Sequence, residues 1–382
     1  MSEIVKIGPY DPRLIEPELY ELKVKDGVIV DADMKIGFLH RGIEKIASTR
    51  PYRKGIFVCA RVCGICSNSH SLAFAQTAEG VMDVEIPERA LYLRSIMHEV
   101  ERLESHYIWL AILAHAVKDL DLFTKIIKDR ESVMDLQEYV TGNRVTKGFN
   151  CIGGVRFDFT EGTAKKARET IQVLSNLADQ VGEKITKDEA IRSKLEGFGI
   201  LTKEQARLTG AVGPTVRGSG IPDDVRKDDP YAAYSKLDFN VIVEDGCDVL
   251  ARTLVRHREC YESMRLIEHA LKDLPEGPIV GDVQRVLETD YVGHIESHRG
   301  ELVYYIKGNG TNIPERVKIR TPSFMNDKAT LEMLKGDKVE NAQVIIESID
   351  PCFSCTDRVT IVSLDDGTRR TVPMDSLSKV VK

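Results

Sequence analysis

The sequence predicts a mainly helical α+β chain: a central bundle of long helices, small β elements near both termini, and a metal site closed between an N-terminal and a C-terminal Cys-x-x-Cys turn. Three observations predict it. From Pro87 to about residue 119, Leu93, Met97, Val100, Leu103, Tyr107, Leu110 and Ala114 recur at steps of three and four, the stripe that one long helix buries. Residues 245–272 repeat the pattern with Leu250, Leu254, Tyr261, Met264, Ile267 and Leu271. Finally, Cys63-Gly-Ile-Cys66 and Cys352-Phe-Ser-Cys355 place two short-spaced cysteine pairs with 285 residues between them.

In chain order, the first fifty residues read as extended structure. Tyr20–Val24, the turn Lys25-Asp26-Gly27 and Val28–Met34 form a hairpin, because Asp-Gly accepts the positive φ angles that tight hairpin turns need. Pro87 opens the first long helix, where its missing N–H costs nothing. Shorter helical patterns follow at about 119–140 and, after Asp158 and Thr160, at about 161–186; burying such stripes together makes a bundle. Between 209 and 235, Gly210, Gly213, Pro214, Gly218, Gly220, Pro222 and Pro230 break every period, predicting a long irregular connection. Short strands are expected at 301–306, 316–320 and 343–346, and another hairpin in the tail from Val359 onward, around Asp365-Asp-Gly367. A single domain over 1–358 is expected, with an N-terminal β region at 1–50, the bundle at 87–275 and a mixed region at 276–358; residues 359–382 stand apart.

Composition limits the function classes. With 53 Lys and Arg against 60 Asp and Glu, the formal charge of −7 argues against nucleic acid as a partner. Eight cysteines with no apolar leader after Met1 fit a reducing compartment, where paired thiols hold metals more often than they form disulfides. The longest apolar run, 107–117, is shorter than the roughly 20 residues a bilayer crossing needs. Membrane association would therefore come through partners.

A two-residue gap lets one tight turn aim two thiolates at a point, and two such turns can enclose a soft metal ion. A structural tetrathiolate zinc site is the competing reading, but zinc ribbons separate their pairs by about 15–20 residues. Cys59, Cys151, Cys247 and Cys260 are expected to be buried small hydrophobes, and histidines 98, 106, 115, 257 and 269 to serve core or partner-facing roles on the two long helices.

The flanks add specificity. Arg61-Val-Cys-Gly-Ile-Cys66 and Asp350-Pro-Cys-Phe-Ser-Cys-Thr-Asp-Arg358 together resemble the catalytic large subunit of nickel–iron hydrogenases. His40-Arg-Gly-Ile-Glu44, Gly142-Asn-Arg144, Gly153-Gly-Val155, Gly213-Pro-Thr-Val-Arg-Gly-Ser-Gly220 and Arg299-Gly-Glu301 resemble its energy-converting branch, which is related to the quinone-site subunit of respiratory complex I. The resemblance implies a Ni–Fe centre with carbon monoxide and cyanide on iron, Cys63 and Cys352 being terminal nickel ligands and Cys66 and Cys355 bridging. It implies Arg299 and Asp350 as a canopy over the iron, His70 as a donor to a bridging sulfur, and Glu16, rather than Glu18, as the proton-gate carboxylate. Where the family usually has proline before the arginine, this chain has His298. Glu44 aligns with a ligand of a separate Mg2+ or Fe2+ site, although many relatives have histidine where this chain has Arg358, and arginine cannot ligate a cation.

The implied activity is reversible H2 cleavage, with the proton leaving to a terminal thiolate and the electrons to a small subunit carrying a [4Fe–4S] cluster, then to ferredoxin. The implied setting is a peripheral subunit on the cytoplasmic side of the cell membrane, beside membrane-embedded ion-translocating subunits. Relatives carry a tail that a maturation endopeptidase removes, for which residues 359–382 are the candidate. Two related readings compete: a complex I-like quinone-site or scaffold subunit, and a cytosolic hydrogenase large subunit reducing a deazaflavin coenzyme or NAD.

Overall fold

The computed structural model describes residues 2–11, 14, 16–283, 287–356, 360–362 and 369–371. Three antiparallel strands open the chain, β1 (Ser2–Ile7), β2 (Leu19–Lys25) and β3 (Val28–Lys35), in the order β1-β2-β3. The β2–β3 hairpin turns at Asp26 and Gly27, both at positive φ, as the Asp-Gly pair predicts. The expectation of extended structure fails after residue 42, where α1 (Ile43–Ala47) begins. α2 (Tyr52–Cys59) and α3 (Ser67–Met82) follow; the small residues of α3 blur its apolar period, which hides this helix in the sequence.

The predicted long helices form at nearly the predicted bounds: α4 (Glu88–Ala116), α5 (Leu120–Thr141), then the two-residue strands β4 (Asn150–Cys151) and β5 (Gly154–Val155), and α6 (Glu161–Lys187). Thr160 caps α6 by accepting from Thr163 N–H. Two short helices, α7 (Glu189–Arg192) and α8 (Lys203–Thr209), lead to the irregular stretch, which holds only the single turns α9 (Pro214–Arg217) and α10 (Val225–Asp228) among its helices of α type. α11 (Val249–Lys272) completes the bundle, with α4 packed on α5 and α11, and α6 on both of those.

The C-terminal region holds a second antiparallel sheet, β6 (Asp290–Ser297), β7 (Gly300–Lys307) and β8 (Arg316–Arg320), whose first two strands pack on α3. α12 (Pro322–Leu334) follows. The strand expected at 343–346 is instead α13 (Ala342–Glu347): its apolar run is buried on a short helix packed on α4, a case where run length alone does not separate the two states. α14 (Phe353–Thr356) is one turn, and β9 (Thr360–Val362) pairs with β10 (Arg369–Thr371) as the tail hairpin requires. The connecting turn, including Asp365 and Gly367, and Arg358 lie outside the described residues.

The N-terminal sheet meets the C-terminal region. Ile29 N–H donates to Asp337 O and Gly336 N–H to Ile29 O, while Phe353 sets its ring edge-on to Tyr20 of β2. The apolar stripe of α4 is buried from Leu93 to Ala114. So is much of the polar stripe between: Arg94, His98, Glu99, Glu101, Arg102, Glu104 and His106 are all buried. These groups pair with one another and with Glu79, Lys147, Arg226 and Glu259, which is how a helix can be enclosed without isolated charge.

Candidate metal centre

Two turns carry the cysteines to one place. Cys66 is the N-cap of α3, and Cys63 closes the turn before it, its sulfur accepting from Ile65 and Cys66 N–H at 3.3 Å. At the other end, Cys355 N–H donates to Cys352 O, Ser323 Oγ accepts from Cys352 N–H at 3.0 Å, and Thr321 Oγ1 donates to Cys355 O at 2.8 Å. The start of α12 therefore fixes the second turn. Arg41 locks the two together, donating to Arg61 O at 2.7 Å, Val62 O at 2.6 Å and Ser354 O at 3.2 Å.

All four sulfurs are buried. Cys352 Sγ lies 3.3 Å from Cys63 Sγ and 3.0 Å from Cys355 Sγ, and the sulfurs of Cys63, Cys66 and Cys355 lie within 4.8 Å of one another. Hydrogen bonds from Cys352, then Cys355 and Cys66, pull the Cys63 thiol well below its ordinary range, while burial pushes Cys355 well above. One thiolate is thus shared among thiols. Four thiolates at this spacing would repel unless a cation lay between them, so the donor set fits a soft, thiophilic metal centre.

The expected neighbours are here. His70 Nε2 lies 3.6 Å from Cys355 Sγ, and its Nδ1 is 2.7 Å from Tyr304 Oη. Burial pushes His70 down to about 4, so the ring is neutral; with Tyr304 donating to Nδ1, Nε2–H faces the sulfur. Arg299 is buried and grips Asp350 twice, Nη2 to Oδ1 and Nε to the backbone O, each at 2.7 Å. Asp350 sits at φ 57°, a left-handed conformation that costs an ordinary residue about 1–2 kcal/mol and here presents both oxygens to one guanidinium. Burial alone would lower Arg299, but Asp350 and then the sulfurs of Cys352, Cys63 and Cys66 keep it cationic. Burial pushes the Asp350 carboxyl up against this pull; the two-point grip at 2.7 Å decides for the ion pair.

Glu16 lies beside the second turn. One carboxylate oxygen accepts from Ser354 N–H at 2.8 Å and the other from Ser354 Oγ, placing Glu16 against the residue between Cys352 and Cys355. Glu18, the alternative, is fully buried on the approach to β2. Glu44 is elsewhere: it accepts from Ile319 N–H at 3.0 Å and pairs with Lys318 at 2.8 Å. Among the described residues, no second group of three metal-ligating side chains converges. Cys59 and Cys260 are fully buried as expected, but Cys151 and Cys247 are only half-buried.

Sequence reasoning missed Arg41, although it stands inside a motif singled out for Glu44; nothing in that motif says which charged residue faces the cysteine turns. It also left the glycine stretch without a role. Gly213 lies so close to the canopy that a Cβ there would meet Arg299 O at 2.4 Å, and one on Gly300 would meet Gly213 N at 2.7 Å. The stretch is the wall behind Arg299.

Known proteins resemble this chain in sequence and in fold. The family described as "Respiratory-chain NADH dehydrogenase, 49 Kd subunit" matches residues 119–290 and 283–358, and "Nickel-dependent hydrogenase" matches residues 41–150. The chain is 37% identical to the carbon monoxide-induced hydrogenase of Rhodospirillum rubrum over 93% of its own length and 99% of that protein. It is 34% identical to an NADH-quinone oxidoreductase subunit of Desulfitobacterium hafniense, over 93% of this chain and 97% of that one. A chain of the membrane-bound sulfane sulfur reductase, an archaeal respiratory membrane complex, superimposes with a TM-score of 0.89 at 29% identity, covering 94% of this chain and 98% of that chain. No helix among the described residues is long and apolar enough to cross a membrane. The chain belongs to the family that joins nickel-dependent hydrogenase large subunits to the 49-kDa subunit of respiratory complex I.

Proposed function

We propose that this chain is the catalytic large subunit of an energy-converting nickel–iron hydrogenase, interconverting H2 with protons and electrons. The observation that carries the reading is the convergence of four buried sulfurs, from turns 285 residues apart, beside a buried arginine. Quinone-site relatives share the fold; the four-thiol donor set is what favours hydrogen chemistry here. When bound, a nickel–iron group carrying carbon monoxide and cyanide would supply the Lewis acidity and electron capacity for heterolytic H2 cleavage.

The chain's own part follows from position. Cys63 and Cys352 would be terminal ligands and Cys66 and Cys355 bridging ones. A terminal thiolate beside the reacting molecule would be a base already in place, and Glu16, held on Ser354, is a carboxylate in contact with that turn. Arg299 holds a fixed positive charge over the sulfurs, oriented by Asp350. Neutral His70, oriented by Tyr304, donates toward Cys355 and tunes its electron density. Glu44, with both oxygens engaged, is assigned a structural role rather than a third metal. Electrons would leave through a small subunit bearing a [4Fe–4S] cluster toward ferredoxin, next to ion-translocating membrane subunits on the cytoplasmic side.

Infrared spectroscopy of the native complex tests the reading: stretching bands of metal-bound carbon monoxide and cyanide are expected, and their absence in nickel-replete protein would exclude it. The tail is proposed to be removed after metal insertion. Mass spectrometry of active enzyme should then find a large subunit ending before Val359, whereas a chain still carrying Lys382 would contradict processing.

A further inference from the structure

α3 begins without a capping side chain of its own. Its N-cap position, where Ser, Thr, Asp or Asn usually accepts a backbone N–H, is Cys66, and the thiol is turned toward the other sulfurs. The N–H groups of Asn68 and Ser69 instead donate to Glu101, 33 and 32 residues away on α4, at 2.6 and 2.8 Å, and Ser69 Oγ adds a third bond at 2.7 Å. The same carboxylate receives Lys147 Nζ at 3.0 Å and His298 Nε2 at 3.2 Å. Glu101 and His298 are fully buried and Lys147 nearly so. Burial alone would push the Glu101 carboxyl up; Lys147 and the hydrogen bond from His298 hold it well below the usual range, so it remains an anion at a helix N-terminus. His298 immediately precedes Arg299, and α3 carries both Cys66 and, one turn on, His70.

We propose that Glu101 is a positioning residue: its carboxylate ties the start of α3, and so Cys66 and His70, to the His298–Arg299 turn, and fixes the sulfur wall relative to the guanidinium beside it. The inference rests on the reading of the site as a nickel–iron centre. It gives His298 a task as well, since its ring reaches the same carboxylate that receives the first N–H groups of α3.

The experiment compares the purified complex with Glu101→Gln, His298→Phe and Glu79→Gln variants. Glu79 is the matched control: buried on the last turns of α3, it pairs with Arg94 at 2.6 Å and accepts from Gly153 N–H, away from the sulfurs. Nickel content, carbon monoxide and cyanide stretching bands, and amide hydrogen exchange are read for each. Glu101→Gln and His298→Phe should displace the bands and lower turnover or nickel occupancy by about 10- to 100-fold. Glu79→Gln should lower thermal stability while its bands stay at wild-type positions. Bands unmoved in the first two variants would overturn the proposal; if Glu101→Gln does not accumulate, His298→Phe alone decides by the same criterion. If the wild-type complex shows no such bands, the underlying reading fails separately, and the tie is judged by exchange at Asn68 and Ser69. About tenfold faster exchange in Glu101→Gln is expected from a lost cap, and unchanged exchange overturns the tie.

Discussion

Glu16 shows how much a single carboxylate's setting can say. Its two oxygens are taken by the amide and hydroxyl of Ser354, so it cannot drift from the turn bearing Cys352 and Cys355. A carboxylate fixed there can accept a proton from a terminal thiol and pass it outward, and an amide of the same shape cannot. Glu16→Gln is therefore expected to retain nickel and lower turnover by about 100-fold or more. H2 uptake and elemental analysis check this together; unchanged uptake would remove Glu16 from the proton route. At this scale the spacing of Cys63, Cys66, Cys352 and Cys355 pointed to one cluster and the family resemblance pointed to Arg299 and His70 beside it; the structure brings all six together. The sequence was silent on Arg41, Tyr304 and Glu101, whose roles depend on which distant backbone they reach.

Among elements, the long helices were readable because apolar stripes at steps of three and four survive in α4 and α11 even though both carry buried charges. α13 was misread as a strand, and α3 went unseen, because both are set by tertiary contacts rather than local pattern: α13 is a short helix pressed on α4, and α3 lacks a capping side chain of its own. The approach of Gly213 to Arg299 gives a test at this scale. Gly213→Ala places a methyl 2.4 Å from Arg299 O at a residue with φ 67°, and should cost roughly 2–4 kcal/mol of stability while displacing the canopy. Gly27→Ala, at φ 80° with open space around it, should cost only about 1–2 kcal/mol. Thermal unfolding of the two variants separates packing from backbone strain; equal losses would refute the close-contact account.

Taken whole, the molecule encloses a large store of charge in its bundle, and its histidines respond to acid in a defined direction. Burial pushes His98 down to about 4 and His298 down to about 3, and their ring centroids lie 5.7 Å apart. Above about pH 6.5 both rings are neutral in the folded and unfolded chains alike, so their contribution is fully present. As pH falls from there toward 4, the unfolded chain binds protons that the folded one resists, and stability drops, on the order of 2 kcal/mol per ring by pH 5. Thermal unfolding between pH 5 and 7.5 should show this slope, and a His98→Gln variant should make it shallower by about one ring's share while His298 and His70 keep the rest; a flat wild-type profile would contradict neutral burial.

The convergence of the two cysteine turns has a consequence for biosynthesis. Cys63 and Cys66 leave the ribosome first, and their partners Cys352 and Cys355 emerge only after 285 further residues. At ordinary elongation rates that interval lasts roughly 15–60 s. Throughout it the early pair has half a coordination sphere, so a cation captured then would be held by two sulfurs instead of four. On the proposed function, selective loading would come late, once Cys352 and Cys355 have emerged and Arg41 can bring both turns under one clamp.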